Sequence, residues 1–316
     1  MVLVIIRCCA GIGTVPVFAR ADKVKRHTCQ ARIVPIYIQR RKYMQFYGDY
    51  HCHSVHSDGH SELEEIVQAA AARGLAEVAI TDHGPGVLGI GVKNDGVYVD
   101  IRRQIEYLRP EMDGITVLVG AEANITSLEG DLDVADEVID QLDILIVGLH
   151  PYTIPGSWGD GWELFAANHL RHLGRNWQER AIKANTEAVV AALYRYDVDI
   201  LAHPGLFFQI DVEQAARACV TSGTLFEINC GHEHPSLSDI MIAERTGVNF
   251  IINSDSHYPE TVGKLKYGED IIARLGIDPM RVANLLEEGM SSGRKTSLPG
   301  SSHYYRTLWS REITGG

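Results

Sequence analysis

The stretch Phe46-Tyr47-Gly48-Asp49-Tyr50-His51-Cys52-His53 decides how the rest of the chain is read. It is a short aromatic-rich run that ends in two histidines one residue apart. Alternate residues of an extended strand point the same way, so His51 and His53 share one side while Cys52 faces the other. Two imidazoles at that spacing can grip one ion, and Cys52 reads as a packed, inert thiol.

Outward from this stretch the same theme repeats: a short apolar run ending in a polar residue, then a helical stretch. The strand readings are Phe46–His51, Glu77–Thr81, Thr116–Ala121, Ile144–Gly148, Asp199–Ala202, Leu225–Ile228 and Phe250–Ile252. Between them, helical periodicity covers 61–73, 99–109, 134–141, 176–194, 212–221, 236–246 and 279–288. Ser61 with Glu64 reads as a capping box and Gly74 as a stop. Alternation of this kind is the signature of an α/β fold. The segment from Pro151 to about Arg175 carries Trp158 and Trp162 with several glycines, and it reads as a loop or lid.

Nearly every strand ends in a metal-ligand type. After His51 and His53 come Thr81-Asp82-His83, Gly120-Ala121-Glu122, Gly148-Leu149-His150, Ala202-His203-Pro204-Gly205, Glu227-Ile228-Asn229 and Asn253-Ser254-Asp255-Ser256-His257. In a parallel α/β barrel the carboxyl ends of the strands meet on one face, which turns this scattered set into one cluster. Imidazole and carboxylate together suit zinc, manganese or iron rather than a hard-oxygen calcium or magnesium site. The cluster exceeds the three protein ligands of one catalytic ion, so two to three divalent ions are expected.

These motifs, taken in order and joined by Ser57-Asp58-Gly59 and Glu122-Ala123-Asn124, resemble those of PHP (polymerase and histidinol phosphatase) phosphoesterases over roughly Tyr47 to Lys264. They look most like the stand-alone bacterial PHP hydrolases. The resemblance implies a distorted seven-stranded, TIM-like (β/α)7 barrel holding a trinuclear metal centre at the strand ends. It would place His51, His53, Glu122 and Asp255 on one ion. Glu122 would bridge to a second ion held by His150 and His203, and Asp58, His83 and His257 would hold a third. Glu122, Asp255 and His257 form the implied catalytic set. His56 and His60 lie close enough to stand in for Asp58. Two ions ~3.5–4 Å apart can hold and activate a bridging hydroxide for in-line attack on phosphorus. Asp82 is a candidate for orienting a ligand histidine or water.

Other histidines read differently. His27, His169, His172 and His303 follow no strand and read as solvated side chains, while His232 and His234 suit a rim loop near the site. Gly89-Ile90-Gly91 is no phosphate loop, since no GxxxxGK[ST] follows. Lys93, Arg102 and Arg175 are candidate phosphate contacts by loop position alone.

The chain has 316 residues, 45% hydrophobic and 22% charged, an ordinary globular composition. Its formal charge of -12 hides an asymmetry. Residues 1–43 hold nine Lys or Arg against Asp22 alone, which leaves 20 basic and 40 acidic residues from 44 onward. Residues 1–43 therefore read as a basic extension outside the barrel, 44–290 as the barrel, and 291–316 as a Ser/Gly-rich tail. The acidic body argues against an extended nucleic-acid surface but not against a small phosphorylated substrate. Six cysteines without a CxxC pair suit a reducing cytoplasm, and no run approaches the ~20 apolar residues of a membrane helix.

The leading expectation is hydrolysis of a small phosphate ester. An amidohydrolase would share the HxH strand and the late aspartate but wants a bridging lysine at a strand end. A non-catalytic metal-binding barrel is the third reading, against which the full ligand set argues.

Overall fold

Seven strands run parallel in sequence order: β1 Gly48–Asp49, β2 Glu77–Ile80, β3 Thr116–Asn124, β4 Ile144–Gly148, β5 Ile200–Leu201, β6 Leu225–Asn229 and β7 Phe250–Asn253. This is a computed structural model describing residues 7–8, 11–12, 44–109 and 114–286. The chain divides into two units, Met1–Met44 and Gln45–Gly316. Among the described residues of the first, Arg7–Cys8 pairs antiparallel with Gly11–Ile12. The expectations for residues 13–43, His27, His303 and the tail lie outside the described residues.

The sheet is nearly closed into a barrel. Past the ends of β1 and β7, Cys52 pairs in parallel with Ser256: His53 N donates to Ser256 O at 2.8 Å and Ser256 N to His51 O at 3.0 Å. Apart from the start of β3, every strand residue is buried, as befits a parallel sheet covered on both faces. Tyr50, Leu118, Ile146, Ile200, Leu225 and Ile251 belong to one core cluster.

Helices follow the strands: α1 Leu63–Ala72, α2 Gly96–Leu108, α3 Asp136–Ile139, α4 Arg175–Arg195, α5 Val212–Ser222, α6 Leu237–Arg245 and α7 Lys266–Leu275. In α1 the buried residues Leu63, Ile66, Val67 and Ala70 recur at helical spacing along one face. Its capping box lies one residue later than the sequence suggests, with Glu62 as the N-cap and Glu65 accepting from its amide at 2.9 Å. Gly74 takes φ 75°, the left-handed conformation that stops the helix at little cost.

The structure corrects four further readings. The first strand is only Gly48–Asp49, because side chains then replace ladder partners: Tyr50 N donates to Asn253 Oδ1 and Cys52 N to Thr81 Oγ1. The segment 151–175 is not a plain loop. From Trp158 it runs through helical turns, including a π-helical stretch Gly161–Ala166 and a 3-10 turn Arg171–Leu173. Helix α7 had no counterpart in the sequence reading.

The fourth correction is the helix expected over 279–288, which is a 3-10 turn at Pro279–Arg281 followed by a seam-filling segment; 287 and 288 lie outside the described residues. Val282 pairs with Phe250 and Leu285 with Phe46. Asn284 Nδ2 donates to Gly48 O at 2.9 Å and Ile252 O at 2.6 Å. The segment makes a turn, with Leu285 N bonded to Val282 O at 3.2 Å, and does not go on as a helix because it satisfies the backbone of the first and last strands, an interaction that outweighs helical periodicity.

Candidate metal centre

Six of the seven strands deliver the nine sequence-predicted residues to one place. His51 and His53 follow β1, with Asp58 on the loop beyond. His83 follows β2, Glu122 lies within β3, His150 follows β4, His203 follows β5, and Asp255 and His257 follow β7. Seven of them line a cavity of about 380 Å³, and His51 and His53 are buried beneath it. Four overlapping groups have ligand atoms within 4.8 Å of one another: His53–Asp58–His83–His257, His51–His53–Asp255, His51–Glu122–His203 and His83–Glu122–His150.

Glu122 stands at the middle. Its Oε1 lies 2.8 Å from His203 Nε2 and 3.3 Å from His150 Nε2, while Oε2 lies 2.9 Å from His83 Nδ1, 3.3 Å from His51 Nε2 and 3.5 Å from His53 Nε2. The two oxygens therefore address different histidine sets. Asp255 turns Oδ1 toward His53 Nε2 at 3.3 Å, and its Oδ2 accepts from Asn229 Nδ2 at 2.9 Å. Asp58 Oδ2 lies 3.3 Å from His257 Nε2, and Oδ1 lies 3.8 Å from both His53 Nδ1 and His83 Nε2. A Cβ at Gly59 would sit 2.3 Å from the His53 carbonyl oxygen, so glycine there lets the loop fold onto His53.

His203 (φ 25°) and Asp255 (φ 51°) are two of the four non-glycine residues with positive φ among those described. Conformations of this kind cost about 1–3 kcal/mol and persist where the surroundings impose them.

The donors fit divalent cations. His51 Nε2, both ring nitrogens of His53, His83 Nδ1, His150 Nδ1, Glu122 Oε2 and Asp58 Oδ1 are buried without a hydrogen-bond partner. Orphaned polar atoms are costly unless something else coordinates them, and nitrogen and oxygen lone pairs converging at this spacing suit two to three ions. Burial alone would raise the pKa of Glu122, but the imidazoles of His150, His51 and His83 hold it well below the usual carboxylate range. Asp255 is likewise held low against burial, by His51 and His53. For Asp58 burial again works upward, yet His257, His53 and His83 bring it down to about 2. These three carboxylates therefore supply fixed negative charge at neutral pH.

The other residues read from the sequence divide between places that match the reading and places that differ. Asp82 touches no ligand histidine; it accepts from Ser54 N at 2.7 Å, Ser54 Oγ at 2.6 Å and Ser57 Oγ at 2.5 Å, which pins the loop leading to Asp58. His60 packs against Tyr258 and His56 lies by Gln104, so Asp58 is the group that reaches the cluster. Arg102 pairs with Asp143 at 3.1 Å and Arg175 with Glu179 at 2.7 Å; neither lines the cavity, nor does Lys93. His169 and His172 are exposed. His232 lies on the rim, 3.4 Å from Asp255 Oδ2, while His234 bonds Pro204 O. Cys52 is buried, and burial pushes its thiol pKa well up, which suits an inert packing role.

The sequence reading named Glu227 and Asn229 at a strand end but gave them no part in supporting the ligands. Glu227, on the one strand that delivers none of the nine, is fully buried and lies with Oε1 2.8 Å from His51 Nδ1. Its carboxylate also accepts from His203 N at 2.7 Å and Asn253 Nδ2 at 2.9 Å. The available signal was a carboxylate inside the buried run Leu225-Phe226-Glu227-Ile228-Asn229.

A sequence profile of the PHP domain matches residues 49–257. The chain belongs to the PHP domain family. Among curated relatives, a probable phosphatase of Acetivibrio thermocellus is 29% identical over 231 residues, covering 70% of this chain and 83% of the relative. One from Shewanella piezotolerans is 28% identical over 257 residues, covering 78% and 92%. Among solved structures, the histidinol phosphate phosphatase of Lactococcus lactis, complexed with zinc, L-histidinol and phosphate, aligns with TM-score 0.52 and 19% identity over 73% of this chain and 94% of that one. That likeness bears on the PHP fold.

Proposed function

We propose that this protein is a metal-dependent phosphoesterase that hydrolyses a small phosphate ester at a trinuclear centre in a distorted (β/α)7 barrel. The observation that carries the reading is Glu122, a buried anionic carboxylate whose two oxygens face separate histidine sets. The ligand sets we infer are His51, His53, Glu122 and Asp255; Glu122, His150 and His203; and Asp58, His83 and His257. Zinc, manganese and iron suit these donors. The curated relatives, named as probable phosphatases, support the same class of substrate.

Bound there, divalent ions would lower the pKa of the attacking water toward neutrality and draw charge from the phosphoryl oxygens. The chain's own part is to fix positions. Glu122 and Asp255 supply charge from places set by strand geometry, and Asn229 holds Asp255 with one oxygen toward the cluster. Asp58 and His257 form the outer edge of the pocket, half-buried where substrate enters. In the reaction the water oxygen bonds to phosphorus, the bond from phosphorus to the ester oxygen breaks, and a proton of the water ends on the departing alcohol.

Supporting features agree with a small phosphorylated substrate. The acidic body offers no broad cationic surface for nucleic acid. Among the described residues no helix is long and apolar enough to cross a membrane. The free thiols Cys52, Cys219 and Cys230 suit a reducing compartment, and we place the protein in the cytoplasm. The amidohydrolase alternative is disfavoured because that pattern wants a bridging lysine at a strand end, and none of these strands ends in one. A panel of phosphate esters run beside amides and lactones tests the reading: phosphate release alone is expected, and turnover confined to amides or lactones would overturn it.

A further inference from the structure

Beyond the nine cluster residues, the cavity wall is neutral. It consists of Ile90 after β2, Phe207 after β5, Gly231 and His232 after β6, and Ser254, Tyr258 and Thr261 by β7; among the described lining residues there is no Lys or Arg. The only charged carboxylates facing the cavity are Asp58, Glu122 and Asp255. Three divalent ions would exceed those three negative charges, together with that of Glu227 behind His51, by two. A phosphate monoester brings about 1.5–2 negative charges, so the floor balances one phosphoryl group. A second anionic group on the substrate would meet a wall without a cation, on a body where 40 acidic residues outnumber 20 basic ones from residue 44 onward.

The wall is also aromatic, and its rings are held. The Phe207 ring lies 5.5 Å from the rings of His150 and His203 and 5.9 Å from that of His232, tilted or edge-on to them. Its carbonyl accepts from Arg171 Nη1 at 3.2 Å, which ties it to the helical segment after β4. Tyr258 packs its ring against His60 at 4.6 Å, and its carbonyl accepts from Ser256 Oγ and Thr261 Oγ1, both at 2.8 Å. Ile90, on the loop after β2, lines the same cavity and adds an apolar side chain to it.

We infer, resting on the phosphoesterase reading, that the site selects esters of a single phosphoryl group with an uncharged, ring-bearing organic part. The ring seats against Phe207, Tyr258 and Ile90. Substrates with a second anionic group, such as nucleoside di- and triphosphates, sugar bisphosphates and phosphorylated carboxylic acids, are discriminated against.

The test uses the full chain loaded with zinc or manganese and three matched probes: benzyl phosphate, ethyl phosphate and 4-carboxybenzyl phosphate. All three leave as alkyl alcohols, so differences report binding of the organic part. Benzyl phosphate is expected to exceed ethyl phosphate in kcat/KM by about tenfold or more, the range that burying one ring supplies, and to exceed 4-carboxybenzyl phosphate as well, because that probe's carboxylate meets no cation in the wall. Phe207→Ala is expected to compress the benzyl-to-ethyl ratio several-fold, and Phe207→Leu, which keeps apolar bulk, less so. The ratio is internal to each preparation, so loss of folded protein cancels. Hydrolysis of all three at similar kcat/KM, or a ratio unmoved by Phe207→Ala, overturns this inference and leaves the phosphoesterase reading standing. Phosphate release from none of them, nor from the wider ester panel, overturns both.

Discussion

Glu227 Oε1 and His51 Nδ1 lie 2.8 Å apart with both side chains fully buried. When Nδ1 donates to this carboxylate, the Nε2 lone pair is left facing Glu122 and Asp255. Burial alone would raise the pKa of Glu227, but His51 and His203 bring it below the usual value, so the acceptor is charged. Glu227→Gln keeps the shape and loses that charge. Its affinity for zinc, read by competition with a chelator, is expected to fall about 10–100-fold while the circular dichroism spectrum stays that of the parent. Unchanged affinity would remove Glu227 from the supporting shell.

The ligands are expected to be unequal. Glu122 addresses both halves of the cluster, so Glu122→Gln should abolish activity and lower metal content together. Asp58 sits at the half-buried edge with His257, and Asp58→Asn should spare the core pair and leave measurable turnover with a raised KM. Metal content and kcat/KM measured on both variants decide it. Equal loss of metal in the two contradicts the trinuclear assignment.

Much of this was legible in the sequence because a parallel barrel converts strand-end position into spatial proximity. All nine cluster residues follow, or lie within, runs that could be recognised as strands. Glu227 and Asn229 were less visible, since they act through His51 and Asp255 rather than pointing into the cavity. Their mark is polarity inside an otherwise apolar buried strand. The segment after Pro279 was misread because its backbone partners, Phe46, Gly48 and Phe250, are more than 29 residues away, and local periodicity carries no trace of such pairing. The turns between Trp158 and Leu173 change helical type several times, which breaks the period by which a helix is recognised.

At the opposite end of the strands, Asp199 Oδ2 accepts from Leu145 N at 2.8 Å, and burial pushes its pKa up to about 7. Between the ordinary carboxyl value and that one, the folded state binds more protons than the unfolded state, so the group costs stability as pH rises from about 4 to about 7. Asp199→Asn removes the titration. Urea midpoints of the variant are expected to gain on the parent across that window, by on the order of a few kcal/mol in stability, and to run parallel above it. A difference constant from pH 4 to 8 would contradict this.

Every cluster residue lies beyond Met44, and residues 1–43 are basic where the rest of the chain is acidic. A chain beginning at Met44 is therefore expected to keep its metal content and its thermal midpoint. Insolubility or loss of metal in that shortened chain would assign residues 1–43 to the barrel.

The most direct measurement is phosphate release as a function of metal restored. Protein stripped by a chelator is titrated with zinc or manganese, and phosphate release from a small phosphate ester is followed against bound metal per chain. Release is expected to be near zero in stripped protein, to rise as the sites fill, and to level off at two to three ions per chain. Release that persists in metal-free protein, or none at full occupancy, would contradict the account.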